Sequence, residues 1–240
     1  MILEKHKGYV IGTTPLSTSR TIVTLYTFRS GKRKGILRLT RRTRAYLGPL
    51  LLLNFQLRGK EHQELLGMDE VSLESHQFDL ASDYLGLTLL QHWAFLLDRS
   101  QADGHGDERV FRLLGHCLEK CRERPDPNTF PRVNLYLEVW LLHFAGLLPR
   151  GQALSTATGL TATDLPGADE TTLWRALDSK ILCAVFQTTL GDFLADALQL
   201  ETLVETQRVL GLIWERFLGY RLKTRELLIK QLEKRSQLNR

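Results

Sequence analysis

The hydrophobic pattern of this chain changes period once, and that change limits what it can fold into. Before about residue 76 the apolar residues sit in short alternating runs. From Gln77 onward they recur every three or four residues. Tyr9–Thr13 and Thr21–Phe28 are rich in β-branched and aromatic residues and read as strands. Pro15 to Ser19 supplies a turn between them. Ser30-Gly31 invites a hairpin into Lys34–Thr40, where period two turns Leu37 and Leu39 inward and Arg38 outward. A loop, Arg41 to Gly48, follows, and Leu50–Leu57 and Glu64–Val71 complete the set. About five short strands in so few residues fit a small closed barrel such as an OB-fold, although an SH3-like barrel reads much the same.

The second part reads as helices. Leu85, Leu89, Trp93 and Leu96 share one face, and Val110, Leu113, Leu114, Cys117, Leu118 and Cys121 another. Val133, Leu137, Trp140, Leu141, Phe144 and Leu148 form a third stripe. Asn128 and Thr129 are candidate caps at its start, with Pro131 in the first turn. A fourth runs through Leu173, Leu177, Ile181 and Val185. A fifth runs from Leu200 to Phe217 and stops near Gly219, and a short basic helix, Thr224 to Arg235, closes the chain. Ser100–Asp107 and Pro149–Asp169 read as connections. The expected class is α+β: an OB-fold barrel over residues 1–76, then an all-helical domain over 77–240 with an irregular connection near 149–169.

At 240 residues the chain can bury a core without disulfides or metal. Its three cysteines point to a reducing cytosol. No run approaches the length of a membrane span, and Met1 to Gly8 lacks the apolar core of a signal peptide. A cytoplasmic protein without membrane partners is expected.

Charge is distributed unevenly. From Lys5 to Lys60 there is no Asp or Glu, and thirteen Lys and Arg. A +13 stretch inside a +5 chain leaves the remainder at −8. A basic head on an acidic body suggests a polyanion partner for the head. Eight of the cations fall between Arg29 and Arg44. Lys32, Arg33, Lys34, Arg38, Arg41, Arg42 and Arg44 are the candidate nucleic-acid contacts, because phosphate binding gains from counterion release. Tyr26, Phe28 and Tyr46 would stack bases only if they face outward. A strand face carrying Tyr26 and Phe28 is more often core.

Several patterns resemble chemistry without completing it. Cys117 and Cys121 have a zinc-like spacing, but both lie on the apolar stripe of one helix and no CxxC pair exists, so buried apolar thiols are the simpler reading. Gly104-His105-Gly106-Asp107 reads as a polar turn. There is no Walker loop, GxSxG, HExxH or GxGxxG. No catalytic residue, metal or cofactor is expected, and the chain reads as a non-enzyme.

Several segments resemble the bacterial RecO family. Gly8-Tyr9-Val10-Ile11 is similar to its opening, and Ser19-Arg20-Thr21-Ile22-Val23-Thr24-Leu25-Tyr26-Thr27 to its second strand. Gly31-Lys32 resembles its hairpin turn, and Arg41-Arg42 with Leu47-Gly48-Pro49-Leu50 its basic loop and next strand. The stretch from Leu218-Gly219-Tyr220-Arg221-Leu222 to Thr224-Arg225-Glu226-Leu227-Leu228 resembles its closing motif. The order of these pieces spans nearly the whole chain. The resemblance implies an OB-fold followed by a helical domain. It also implies a recombination mediator that binds single- and double-stranded DNA, anneals strands, and with RecR helps RecA replace single-strand-binding protein. It carries Arg41 and Arg42 as DNA contacts. The four-cysteine zinc module of many family members has no counterpart, since no cysteine lies between Cys121 and Cys183. Docking of the acidic, apolar tail of single-strand-binding protein needs a cation beside an apolar groove, for which Arg132 and Tyr136 are the candidates.

Two rival functions stay open on sequence. An RNA-binding OB protein tied to the ribosome or RNA processing has the same basic barrel, and a nuclease would assemble acids from the helical body. A lipid-docking adaptor is a weaker third.

Overall fold

The computed structural model describes residues 2–59, 65–123, 129–148, 172–173, 177, 179–195 and 199–238. Pro149–Asp169, Lys60, Glu64 and Asn128 lie outside them. The chain divides into two compact units, Met1–Asp83 with Leu90–Arg112, and Tyr84–Leu89 with Leu113–Arg240.

The first unit holds five strands: β1 (Ile2–Ser17), β2 (Arg20–Thr27), β3 (Gly31–Arg38), β4 (Leu52–Gly59) and β5 (Leu66–Ser75). They close into a barrel in the order β1-β2-β3-β5-β4, with β1 antiparallel to β4. Strand β3 pairs with β5 in parallel. A helix, α1 (Arg41–Arg44), sits between β3 and β4. This is an OB-like arrangement, as the sequence implied. The inward rows are the alternate residues of each strand, among them Val10, Val23, Leu25, Leu37, Leu53, Phe55 and Leu57, all nearly inaccessible. Arg38 points out as expected. β1 is longer than its apolar pattern suggests, because Glu4, Lys5, His6 and Lys7 extend it without an apolar face to betray them.

Helices follow: α2 (Phe78–Ser82), α3 (Tyr84–Ser100), α4 (Glu108–Glu123), α5 (Thr129–Phe144), α6 (Ser179–Gln187), α7 (Leu190–Ala195), α8 (Leu200–Leu218) and α9 (Lys223–Leu238). The five stripes and the closing basic helix all find helices, although the fourth stripe is only partly one: Leu177 lies in a bend before α6. Gly219 caps α8 in the left-handed conformation, its N–H donating to the Glu215 carbonyl at 2.8 Å.

The barrel unit reaches past residue 76, where the sequence places a boundary, and takes in Leu90–Arg112. The reason is visible on the outside of β1 and β2. Tyr9 packs on Phe111 with ring centroids 4.8 Å apart, and Phe28 on the same ring at 5.3 Å. Tyr26 is fully buried and its hydroxyl donates to the Asp107 carbonyl at 3.1 Å. Burial pushes that phenol up to about 12. These rings need an apolar cover, and the start of α4 supplies it.

The Gly104–Asp107 turn is part of this seal. The β2–β3 turn lies so close to it that a Cβ on Gly31 would stand 2.1 Å from the His105 carbonyl oxygen, and one on Gly106 2.6 Å from the Arg29 oxygen. Gly31 also has φ +59°. Gly31→Ala is therefore expected to cost about 1–3 kcal/mol in backbone strain alone, with the clash added. Urea unfolding of the purified chain will read this as a lower midpoint.

In the second unit α5 is buried along almost its whole length and packs against α6, α7 and α8. Its face carries a buried polar network. Glu138 and Asn134 are fully buried, and Asn134 Nδ2 donates to Glu138 Oε1 at 2.8 Å. Arg225 of α9 forms an ion pair with the other Glu138 oxygen and donates to the Gln207 carbonyl. Gln207 Nε2 in turn donates to the Pro131 carbonyl at 2.5 Å. Burial pulls the Arg225 guanidinium down to about 9, still protonated at neutral pH. Three helices are thus tied through one ion pair.

Candidate nucleic-acid interface

The seven basic residues named from the sequence do not share one environment. Five of them, Lys34, Arg38, Arg41, Arg42 and Arg44, are exposed. Lys34 and Arg38 stand on the outward row of β3, and the three arginines follow on α1. A reciprocal cap fixes α1: Thr43 N–H donates to Thr40 Oγ1 at 3.1 Å, and Thr40 N–H to Thr43 Oγ1 at 2.8 Å. Thr43 Oγ1 also donates to the Arg38 carbonyl at 2.8 Å, locking the helix to the strand end. Arg42 Nε donates to the hydroxyl of buried Tyr46 at 2.8 Å, which holds the guanidinium against the barrel.

Lys32 and Arg33 are placed differently. Lys32 is largely covered, donating to the Asp98 carbonyl at 2.7 Å and pairing with Asp103 at 3.2 Å. Arg33 lies on the inward row with Gly35 and Leu37, and its Nε is buried without a hydrogen-bond partner. Neither adds a free charge to the exposed row. Tyr26, Phe28 and Tyr46 are consumed by packing inside the unit, as the strand-face reading anticipated for the first two.

The register adds a residue that charge counting alone did not single out. Arg20 of β2 sits directly opposite Arg38, Ile22 opposite Ile36, and Thr24 opposite Lys34. The outward face of the hairpin is therefore a ladder of a double-cation rung, an apolar rung and a third rung carrying Lys34. Counting back from the Gly31 turn would have found it. Like charges directly opposite each other destabilise a sheet. Among the described residues, Arg20, Lys34, Arg38, Arg41, Arg42 and Arg44 have no acidic partner, whereas Lys7 pairs with Glu74 at 2.8 Å and Arg58 with Asp69 at 3.8 Å. The arrangement presents several guanidinium groups, each able to donate to phosphate oxygens, on a rigid strand–helix corner.

In the second unit a groove of about 660 Å³ is walled by Leu113, Lys120, Tyr136, Phe186 and Leu190. Tyr136 is mostly buried, its ring 5.7 Å from that of Phe193, and burial raises its phenol. Arg132 is half-buried and gives Nη1 to the Leu194 carbonyl at 2.9 Å. Cys117 and Cys121 are buried in α4, and burial pushes the Cys121 thiol up to about 12 and the Cys117 thiol well above its ordinary value. Both behave as small apolar side chains. Among the described residues no helix is long and apolar enough to cross a membrane.

Comparison with known proteins agrees with this fold. Residues 1–76 match the family described as Recombination protein O N terminal. The DNA repair protein RecO of Koribacter versatilis is 26% identical over 156 residues, covering 62% of this chain and 61% of the relative. That of Pelobacter propionicus is 26% identical over 157 residues, covering 63% and 62%. The chain thus spans about three fifths of the length of the curated relatives it matches. Over residues 1–76 the chain is thus similar to the Recombination protein O N-terminal family, and over about three fifths of its length to proteins named DNA repair protein RecO.

Proposed function

We propose that this protein is a non-catalytic mediator of DNA repair and recombination in the cytoplasm. It binds single- and double-stranded DNA, anneals complementary strands and helps load RecA onto DNA coated by single-strand-binding protein. The observation that carries this reading is the set of six exposed cations without acidic partners on one hairpin and the helix after it: Arg20, Lys34, Arg38, Arg41, Arg42 and Arg44. Two complementary strands repel through their phosphates. A surface that neutralises part of that charge lowers the repulsion and releases counterions. Contacts of this kind position the backbone and carry little sequence information, which suits a protein that must act on any strand. RecR and the acidic, apolar tail of single-strand-binding protein are the proposed protein partners. The groove walled by Leu113, Tyr136, Phe186 and Leu190 offers such a tail an apolar lining with Lys120 at its wall, and Arg132 stands one turn before Tyr136 on α5.

Annealing of complementary oligonucleotides, bare and coated with single-strand-binding protein, tests the reading. Faster annealing than the spontaneous rate in both settings supports it; no acceleration in either overturns it. Parallel titration of matched DNA and RNA strands decides the polymer, and a clear RNA preference would transfer the assignment to RNA.

The Arg20–Arg38 rung makes a second prediction. Removing one of two facing like charges should stabilise the free protein by about 0.2–1 kcal/mol while weakening DNA binding. Arg20→Thr is thus expected to raise the melting temperature and lower affinity together. A stabilised variant with undiminished affinity would take Arg20 out of the interface.

A further inference from the structure

The cationic row on the outside of the hairpin does not end at Lys34. Two residues before it on β3 stands Lys32, opposite Tyr26 of β2, a fourth rung in line with Arg20–Arg38, Ile22–Ile36 and Thr24–Lys34. Arg20, Lys34 and Arg38 are open to solvent, whereas this last rung is covered. Tyr26 is inaccessible and the Lys32 side chain is 15% exposed. The cover is the end of α3 with the connection to α4. Asp98 and Asp103 set their carboxylates 3.7 Å and 3.2 Å from Lys32 Nζ, which also donates to the Asp98 carbonyl at 2.7 Å. The backbone holds the same contact. Gly104 N–H donates to the Lys32 carbonyl at 3.2 Å, and Asp103 forms an isolated parallel bridge with Lys32. All of these residues belong to the barrel unit.

Anionic oxygens around one ammonium are what a phosphodiester would offer it. The Asp103 side chain is 68% exposed, so its ion pair adds little to the fold, about 0–1 kcal/mol. Its effect on the row is larger, because together with Asp98 it cancels the last cation. We propose that Asp98 and Asp103 are an internal phosphate mimic that ends the DNA-binding row at Lys34 and limits how much of a strand the hairpin grips. The inference rests on the DNA-binding reading above and concerns what restrains that surface. A protein that brings strands together must also let them go. Each phosphate contact left out weakens the hold and flattens its salt dependence. The connection stays closed while DNA occupies the open rungs, so Lys32 takes no phosphate in the unmodified protein.

Two kinds of variant free Lys32. Asp98→Asn with Asp103→Asn removes the competing charge. Gly106→Ala leaves the charge alone and pushes the connection off, because a Cβ there would stand 2.6 Å from the Arg29 carbonyl oxygen. Anisotropy titration of an oligothymidylate with the full chain, over a salt series, is expected to show about two- to fivefold tighter binding by either variant, the worth of one exposed ion pair. The salt slope should steepen by about 0.7, one phosphate contact. Adding Lys32→Ala to either variant should abolish both gains, while Lys32→Ala alone leaves the parent slope unchanged. Circular dichroism melting selects the variants that fold, and either kind is sufficient. Lysine acylation of the unmodified protein needs no variant: DNA should protect Lys34 and leave the reactivity of Lys32 as it was. No gain in the folded variants overturns the proposal. So does a gain that survives Lys32→Ala, which would be general relief of repulsion, or protection of Lys32 by DNA in the unmodified protein. Each of these leaves the open rungs standing. Failure of the unmodified protein to bind the strand at low salt overturns the DNA-binding reading itself.

Discussion

Replacing Arg41 and Arg42 together by glutamate is expected to lower affinity for single-stranded DNA by at least about tenfold near 0.15 M salt, and to flatten the salt dependence. Each phosphate contact on a single strand contributes about −0.7 to the slope of log affinity against log salt, so losing two shifts it by about 1.4. The added negative charge repels the strand as well, which takes the loss beyond counterion release. Neither residue is buried, so the fold should survive. Arg42 also donates to Tyr46, and its loss leaves that hydroxyl to solvent or to the new carboxylate, a small structural cost. Lys32 supplies the contrast. It is tied to Asp98 and Asp103, so Lys32→Ala should destabilise the barrel unit with little effect on the salt slope. Fluorescence anisotropy over a salt series separates the two classes of residue.

The largest expected effect on stability lies in the second unit. Glu138→Ala leaves the Arg225 guanidinium buried without its counter-charge. Breaking one side of such a pair costs about 3–5 kcal/mol. A whole domain is stable by only about 5–15 kcal/mol, so this single change brings the helical unit close to unfolding. The double replacement Glu138→Met with Arg225→Met removes both charges from the same space. Buried ion pairs are often replaced by apolar residues at no net cost, so the double variant should recover most of the stability lost by Glu138→Ala. Gly211 offers an independent check, because a Cβ there would stand 2.6 Å from Arg225 Cδ. Gly211→Ala should displace the arginine and mimic part of the loss. Chemical denaturation of the parent and the three variants reads the losses side by side. Equal, small losses for Glu138→Ala and the double variant would show that the pair contributes little.

Much of the architecture was legible because it follows from period. Val23, Leu25 and Leu37 alternate and face the barrel interior; Leu85, Leu89, Trp93 and Leu96 recur at helical spacing and are buried. What was not legible depends on partners distant in sequence. The strand face of Tyr26 and Phe28 reads as core, but what covers it, Asp107 and Phe111 about eighty residues on, is not visible in the sequence. Lys32 reads as one more cation in a run until Asp98 and Asp103 are seen beside it. The same blindness hid Arg20, whose place opposite Arg38 is set by the hairpin register rather than by local charge. The C-terminal motif was recognisable as a string around Arg225. Its reason, a buried pairing with Glu138 on another helix, exists only in three dimensions.

The most direct measurement of the central claim is the affinity for a single-stranded oligonucleotide across a fourfold range of salt. With about five of the exposed cations meeting phosphates, the log–log slope is predicted near −3.5, a loss of about a hundredfold over that range. A slope near zero, or one unchanged when Arg20, Lys34, Arg38, Arg41, Arg42 and Arg44 are neutralised together, would contradict it.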